Sequence, residues 1–122
     1  MKRPEWQCNY DQAPADPVNK LRDERHAAIG QRMKFIRVEC WKRTLRAASR
    51  ILGVLPSSLL RMERGAMIPA AVLVSVLSWA PSVDPHWLLF GSADGAAMEK
   101  LQRRFATWVA VRELHNKRKA KR

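Results

Sequence analysis

Cationic and hydroxyl side chains are concentrated between Lys42 and Gly65. Guanidinium and ammonium groups donate hydrogen bonds to phosphate oxygens, and an arginine can also grip O6 and N7 of a guanine. Serine and threonine hydroxyls bond to either kind of acceptor, whereas a leucine offers only apolar contact, for example to a thymine methyl. The candidate contact residues are Lys42, Arg43, Thr44, Arg46, Arg50, Ser57, Ser58, Leu60, Arg61 and Arg64.

The charge of the whole chain favours a polyanionic partner. Its 122 residues include 23 Lys and Arg against 11 Asp and Glu, which gives a net charge of +12. Residues 20–92 hold +7 of this charge and residues 93–122 hold +6, while residues 1–19 are slightly acidic at −1. Nucleic acid is the simplest partner for such a chain, although any single arginine is explained equally well by a solvated surface.

Catalytic and metal-binding patterns are not evident in the sequence. We find no paired carboxylates in a cleft-like context, no Ser/His/Asp order and no phosphate-binding glycine loop. Asp84 and His86 are neighbours in a predicted capping turn, and the three histidines do not have metal-ligand spacing. We therefore expect no enzymatic activity, no cofactor and no metal site.

The cysteines and the apolar runs predict an intracellular setting. Cys8 and Cys40 are far apart and form no Cys-x-x-Cys motif, and no signal-peptide pattern is present. The longest apolar run, from Pro69 to Ala80, is too short to span a bilayer. We expect a cytoplasmic protein with reduced thiols and no membrane partner.

Two short helices are predicted within the cationic segment. Thr44 is a suitable N-cap for the first, and Gly53 can adopt the positive φ that ends a helix. Pro56 suits the first position of the second helix, which is closed by Gly65. Two helices across a tight turn at residues 53–55 are typical of a helix-turn-helix motif.

The remaining segments also read as helices, and no strand pattern is found, so we predict an all-α fold. A helix from Pro17 to about Trp41 is interrupted by Gly30 and is either bent or divided in two. A helix over residues 69–79 is apolar almost all round, which is typical of a helix inside a core. Another short helix over residues 85–89 would be capped by Asp84.

A last helix is predicted over residues 93–116. Its apolar stripe should be buried, either in a homodimer interface or against the helix of residues 69–79. The stripe consists of Met98, Leu101, Phe105 and Trp108. The predicted organisation is thus a flexible arm (1–16), a helix-turn-helix domain (17–92), this C-terminal helix (93–116) and a disordered basic tail (117–122).

A series of short motifs over about residues 28–91 resembles the Cro/CI-type (XRE) helix-turn-helix family. Each motif alone is weak, but they occur in the family's order with near-standard spacing. The matching residues are Gly30, Arg32, Met33, Ile36, Arg37, Leu52, Gly53, Val54, Met62, Glu63, Arg64, Gly65, Pro69, Ser82, Val83, Asp84, Trp87, Leu88, Leu89 and Gly91.

The resemblance implies a compact, lambda-repressor-like bundle of five helices that binds operator DNA as a dimer and regulates transcription. It also implies an internal ion pair between Arg37 and Glu63, and a recognition helix at about 56–64 in the major groove. The chain departs from the family in two places. Leu45 replaces the usual glutamine after Thr44, and the link that precedes Thr44 is one residue longer and lacks its usual glycine.

The residues that would face base edges are unusual for the family, since Leu55, Pro56 and Leu60 are apolar. Three explanations remain open. DNA binding could rely on phosphates and DNA shape, or bases could be read by the N-terminal arm or the C-terminal extension. Alternatively, Leu55 and Leu60 form a protein-binding patch and DNA binding has been lost.

That last explanation defines a second class of function, namely a protein-interaction module such as an adaptor, an antirepressor or a factor that binds RNA polymerase. The net charge of +12 counts against it. By analogy with the family, we expect a protein of the bacterial cytoplasm or nucleoid, or one encoded by a phage within a bacterial host.

Overall fold

The computed structural model describes residues 15–92 and 95–121. The described residues form six α-helices and one π-helical segment and include no strand, so the prediction of an all-α fold is confirmed for them. The helices are α1 (Ala15–Phe35), α2 (Leu45–Leu52), α3 (Pro56–Glu63), α4 (Ala70–Trp79), α5 (Pro85–Phe90) and α6 (Ala96–Ala120), and the π-helical segment is Ile36–Trp41. The predicted arm, apart from its last two residues, lies outside the described residues.

Gly30 does not interrupt α1, which continues through it to Phe35. The glycine lies where α1 crosses the end of α3. A Cβ atom at this position would collide with the backbone carbonyl oxygen of Met62 and would lie 3.3 Å from the carbonyl carbon of Glu63. Gly30 is therefore required by the close packing of two helices, and the expectation that the helix is divided in two at this residue was wrong.

The helical geometry changes six residues later than expected. Ile36 to Trp41 form a π-helical segment, in which each turn holds more residues than in an α-helix. Lys42 ends the segment in the left-handed conformation, with φ of 53°. Glycine adopts this conformation most easily. The link before Thr44 contains no glycine, and Lys42 adopts the conformation instead.

The core lies between the helices α1 to α5, and α6 covers one side of it. Trp87 and Leu88 of α5 are 1% and 0% exposed, so both belong to the core. Asp84 caps α5 by accepting a hydrogen bond of 2.8 Å from the amide of His86. Arg32 of α1 donates to the carbonyl oxygen of Leu88 over 2.8 Å, which fastens α5 to α1.

Only one side of α4 is buried, although the sequence predicted a helix enclosed by the core. Val72 and Val76 are buried, whereas Val74 and Trp79 are 63% and 60% exposed. Among the described residues no helix covers this second side, and α6 packs on Phe35 and Trp87 instead. The structure thus leaves an exposed apolar face on α4, which carries no charged side chain.

The apolar stripe of α6 packs on its own domain. Phe105 lies edge-on to Phe35 of α1 and to Trp87 of α5, with ring centroids 5.3 and 5.6 Å apart. Trp108 also packs on Phe35, and Met98 is 8% exposed. The aromatic partners of the stripe are therefore on α1 and α5, whereas the two predicted alternatives were a homodimer interface and the helix of residues 69–79.

α6 is also longer than expected. It continues to Ala120, so most of the basic tail that was predicted to be disordered is helical. No helix in the described ranges is long and apolar enough to cross a membrane.

Candidate nucleic-acid interface

Local capping interactions define the ends of α2 and α3. The hydroxyl of Thr44 accepts a hydrogen bond of 3.2 Å from the amide of Ala47, as expected for the N-cap of α2. Gly53 ends α2 with φ of 70°, and Pro56 begins α3 directly after the cap residue Leu55. The sequence predicted all of these positions, because each depends on the conformational preference of a single residue.

Buried apolar residues determine which sides of α2 and α3 face outwards. Ala48 and Leu52 of α2 are 0% and 7% exposed, and Leu59 and Met62 of α3 are 1% and 7% exposed. All four belong to the core cluster. Since one side of each helix is held in the core, the opposite sides are presented to solvent in a defined orientation.

The predicted ion pair between Arg37 and Glu63 is present. Nε of Arg37 lies 2.7 Å from Oε2 of Glu63, and Nη2 lies 3.0 Å from Oε1. The side chain of Glu63 is only 2% exposed and that of Arg37 is 13% exposed. Two parallel bonds of this kind fix the relative orientation of the groups that they join, and here they join the π-helical segment to α3.

The same arginine also supports the link that leads into α2. Its Nη1 donates to the backbone oxygen of Arg43 over 3.1 Å, and the amide of Arg43 donates to the backbone oxygen of Arg37 over 3.0 Å. Arg37 thereby holds the backbone of the link next to α3. The side chains of Lys42 and Arg43 extend from this link into solvent.

The cationic surface of α2 and α3, as we call the outward side of residues 42–64, has no exposed carboxylate. Glu63 is the single acidic residue in this range, and it is buried against Arg37. Ser58 and Leu60 are half-buried. The exposed candidate residues are Lys42, Arg43, Thr44, Arg46, Arg50, Ser57, Arg61 and Arg64.

An apolar element interrupts this surface. Leu55, at the start of α3, is 69% exposed, and Leu60 is half-buried one turn further along. In the sequence, these two leucines occupy positions that would face base edges, where they cannot form hydrogen bonds with bases. A surface that combines exposed cations with an exposed leucine can bind phosphates and contact apolar groups.

Two further cations lie close to this region, and the sequence pattern did not single them out. Lys34 of α1 has a lowered pKa, first because of burial and then because of the positive charge of Arg112 on α6, with smaller effects of the same sign from Arg37 and Arg64. Glu63 opposes these effects. Three helices therefore contribute cations to one region, a proximity that sequence spacing could not reveal.

Arg112 is held in place by an aromatic ring. Its guanidinium carbon lies 4.6 Å from the ring centroid of Trp108, a favourable geometry for a cation–π interaction. Arg112 lies four residues after Trp108 on α6, and nothing in the sequence connects it with α3.

In the described ranges, no three His, Cys, Asp or Glu side chains are grouped closely enough to hold a metal ion. The chemistry available at the cationic surface is anion binding through guanidinium, ammonium and hydroxyl groups. No protein-family model, curated protein or solved structure matches the chain significantly.

Proposed function

We propose that this protein binds double-stranded DNA and regulates transcription, without catalytic activity. The observation that supports this most directly is the cationic surface of α2 and α3, in which eight exposed polar or cationic residues have no exposed acidic neighbour within residues 42–64. DNA carries one negative charge about every 1.7 Å along its axis. A surface with exposed cations and no exposed acid is complementary in sign to this charge.

In this proposal, α1 to α5 form a lambda-repressor-like helix-turn-helix domain of the Cro/CI type. The link before α2, together with Arg46 and Arg50, contacts phosphates, and α3 enters the major groove. Arg61 and Ser57 are the residues able to form polar contacts with bases, whereas Leu55 and Leu60 would contact thymine methyl groups. Because few base contacts are available, phosphate binding and DNA shape contribute much of the affinity.

The experiment is a salt series with duplex DNA, followed by fluorescence anisotropy. If phosphates dominate, affinity falls steeply between about 50 and 200 mM salt. Arg50→Ala should weaken binding to all sequences and reduce the salt slope by about 1. Arg61→Ala should cost about 1–3 kcal/mol and relax the preference for one base pair. Lys100→Ala on α6 removes a cation outside the proposed surface and should change affinity little.

The sequences bound by the wild-type protein can be selected from a random duplex pool. Enrichment of a motif that Arg61→Ala loses supports base recognition by α3. Absence of duplex binding even at low salt would refute DNA binding. A salt slope unaffected by Arg50→Ala would refute the proposed contact of α2 with phosphates.

We further propose that the protein acts as a homodimer, because proteins of this type read two half-sites through two-fold symmetry. Its proposed location is the bacterial cytoplasm or nucleoid, either as a bacterial protein or as a phage protein within a bacterial host. The stripe of α6 is engaged within its own chain. The exposed face of α4 suits a second copy better, since it carries no charge that would repel an identical cationic molecule.

Light scattering tests this arrangement. Val74→Glu places a charge on the α4 face and should convert the dimer to a monomer, while Leu114→Glu, an equally drastic change at an exposed residue of α6, should not. A wild-type protein with the mass of a monomer on and off DNA would contradict dimerisation.

The alternative of a protein-interaction module, such as an adaptor, an antirepressor or an RNA polymerase-binding factor, rests on Leu55, which is 69% exposed at the start of α3. With the half-buried Leu60 it offers apolar surface of the kind that the core of a protein interface uses. Leu55→Asp distinguishes the two functions. It should abolish binding of a protein partner, while phosphate-driven DNA binding would decrease only modestly.

A further inference from the structure

A groove with a volume of about 660 Å³ lies between α6 and the junction of α1 with the π-helical segment. It is separate from the cationic surface of α2 and α3, since none of its lining residues lies in the range 42–64. Its apolar lining consists of Phe35, Trp108 and Val111, and its cationic lining consists of Lys100, Arg103 and Arg104.

Phe35 is 1% exposed, so the accessible apolar surface of the groove comes mainly from Trp108 and Val111. The ring of Phe35 is packed edge-on against Trp87, Phe105 and Trp108, at centroid distances of 6.2, 5.3 and 5.6 Å. Val111 is 59% exposed, so it presents an apolar surface that no other part of the described chain covers. A preformed aromatic wall next to an exposed valine favours a ligand with an apolar body.

The cations line one side of the groove. Lys100, Arg103 and Arg104 have the i, i+3, i+4 spacing that places side chains on the same side of a helix. Arg104 lies 6.0 Å from the ring centroid of Phe35, so a charge on α6 is near the apolar wall. No carboxylate of the described residues forms an ion pair with these three cations.

One carboxylate, that of Glu39, also lines the groove, from the π-helical side. Three cations against this one acid leave the groove positive. A single anionic head on the α6 side is therefore complementary, whereas a neutral ligand would leave the cations unpaired and a cationic one would meet repulsion.

From this combination we propose that the groove binds a small amphipathic anion, with an aromatic or aliphatic body against Trp108 and Val111 and one carboxylate-type head on the cations of α6. The volume lies within the range of about 300–1,000 Å³ that is usual for small-molecule sites. The proposal is independent of DNA binding, because the groove and the cationic surface share no residue.

Isothermal titration calorimetry with 2-naphthoate tests the proposal, with neutral 2-naphthamide as the matched probe. The naphthoate should bind with one-to-one stoichiometry. The amide should bind at least about tenfold more weakly, because it has no negative charge to form an ion pair with the cations of α6. Val111→Glu and Arg103→Glu should each weaken naphthoate binding by about tenfold or more.

Two control variants match these changes. Leu114→Glu places the same charge at another exposed apolar residue of α6, and Arg118→Glu reverses a cation near its end. Neither residue lines the groove, so naphthoate affinity should stay within about twofold of wild type. Circular dichroism shows whether each variant is folded. If Val111→Glu is unfolded, the proposal is tested by Arg103→Glu alone, because Arg103 is exposed and its replacement should leave the fold intact.

Three results would overturn the proposal. They are the absence of naphthoate binding, equal affinity for the acid and the amide, and equal losses in the groove variants and their controls. None of these results bears on the salt series with DNA, so the two proposals can fail separately.

Discussion

Arg37 connects the π-helical segment, α3 and the link before α2. One guanidinium group bonds to both carboxylate oxygens of Glu63 and to the backbone of Arg43. The carboxylate is almost fully buried, so its charge is stabilised mainly by this partner. Removal of one member leaves the other buried without its counter-charge, a loss that typically exceeds the net contribution of the intact pair.

We therefore predict that Arg37→Met alone destabilises the protein by about 3–5 kcal/mol, whereas the double variant Arg37→Met with Glu63→Leu recovers most of that loss. Urea unfolding followed by circular dichroism measures both. Glu99→Gln alters an exposed carboxylate and should change the free energy of unfolding by less than about 0.5 kcal/mol.

The single and double variants of Arg37 and Glu63 also separate an effect on stability from an effect on DNA binding. The double variant should fold but bind DNA more weakly than wild type, since the bond from Arg37 to the link before α2 is lost with the arginine. A double variant as unstable as Arg37→Met would show that the damage comes from lost packing around the arginine rather than from the unpaired carboxylate.

At the scale of elements, the contact between α1 and α3 orients the proposed recognition helix. Gly30 permits this contact, because any larger residue would place a carbon atom against the backbone at Met62 and Glu63. A backbone carbonyl cannot move aside as the end of a flexible side chain can. The position of α3 therefore depends on a glycine in the middle of a long helix.

We predict that Gly30→Ala destabilises the protein by at least about 2 kcal/mol, even though alanine is favoured over glycine in a helix by about 1 kcal/mol. Thermal unfolding measures the loss. Gly53→Ala is the control: nothing lies within 4 Å of the added Cβ, and only the positive φ is unfavourable, so it should cost about 1 kcal/mol. A stabilising effect of Gly30→Ala would mean that α1 and α3 do not approach so closely.

At the scale of the whole molecule, the net charge of +12 opposes folding. Compact folding brings like charges together, and this repulsion is screened by salt. Lys34 shows the effect locally: burial and then the charge of Arg112 lower its pKa, which means that its charged form is disfavoured in the folded state.

We predict that the melting temperature rises by about 4 °C or more between 10 and 150 mM NaCl, where the screening length falls from about 30 to about 8 Å. Lys34→Met should stabilise the protein at 10 mM salt, and its advantage should shrink at 150 mM. Lys117→Met removes a charge at an exposed site near the end of α6 and should have a smaller effect. A melting temperature that falls with added salt would contradict net repulsion.

The sequence alone determined the local features of this protein. The cap at Thr44, the end of α2 at Gly53 and the start of α3 at Pro56 were all predicted correctly, since each depends on hydrogen bonds and φ values within a few residues. The all-α class was predicted from the helical spacing of apolar residues, which is also a local property of the chain. The candidate cationic residues could likewise be chosen from composition and spacing.

Only the tertiary structure decided which apolar faces are covered and which charges are neighbours. An apolar helix does not encode what packs against it. The sequence therefore predicted α4 inside the core and left the α6 stripe to either a homodimer interface or α4, whereas the stripe packs on Phe35 and Trp87. The role of Gly30, the crowding around Lys34 and the groove beside α6 all arise between residues distant in the chain. Such contacts depend on the relative placement of whole helices, which no local pattern specifies.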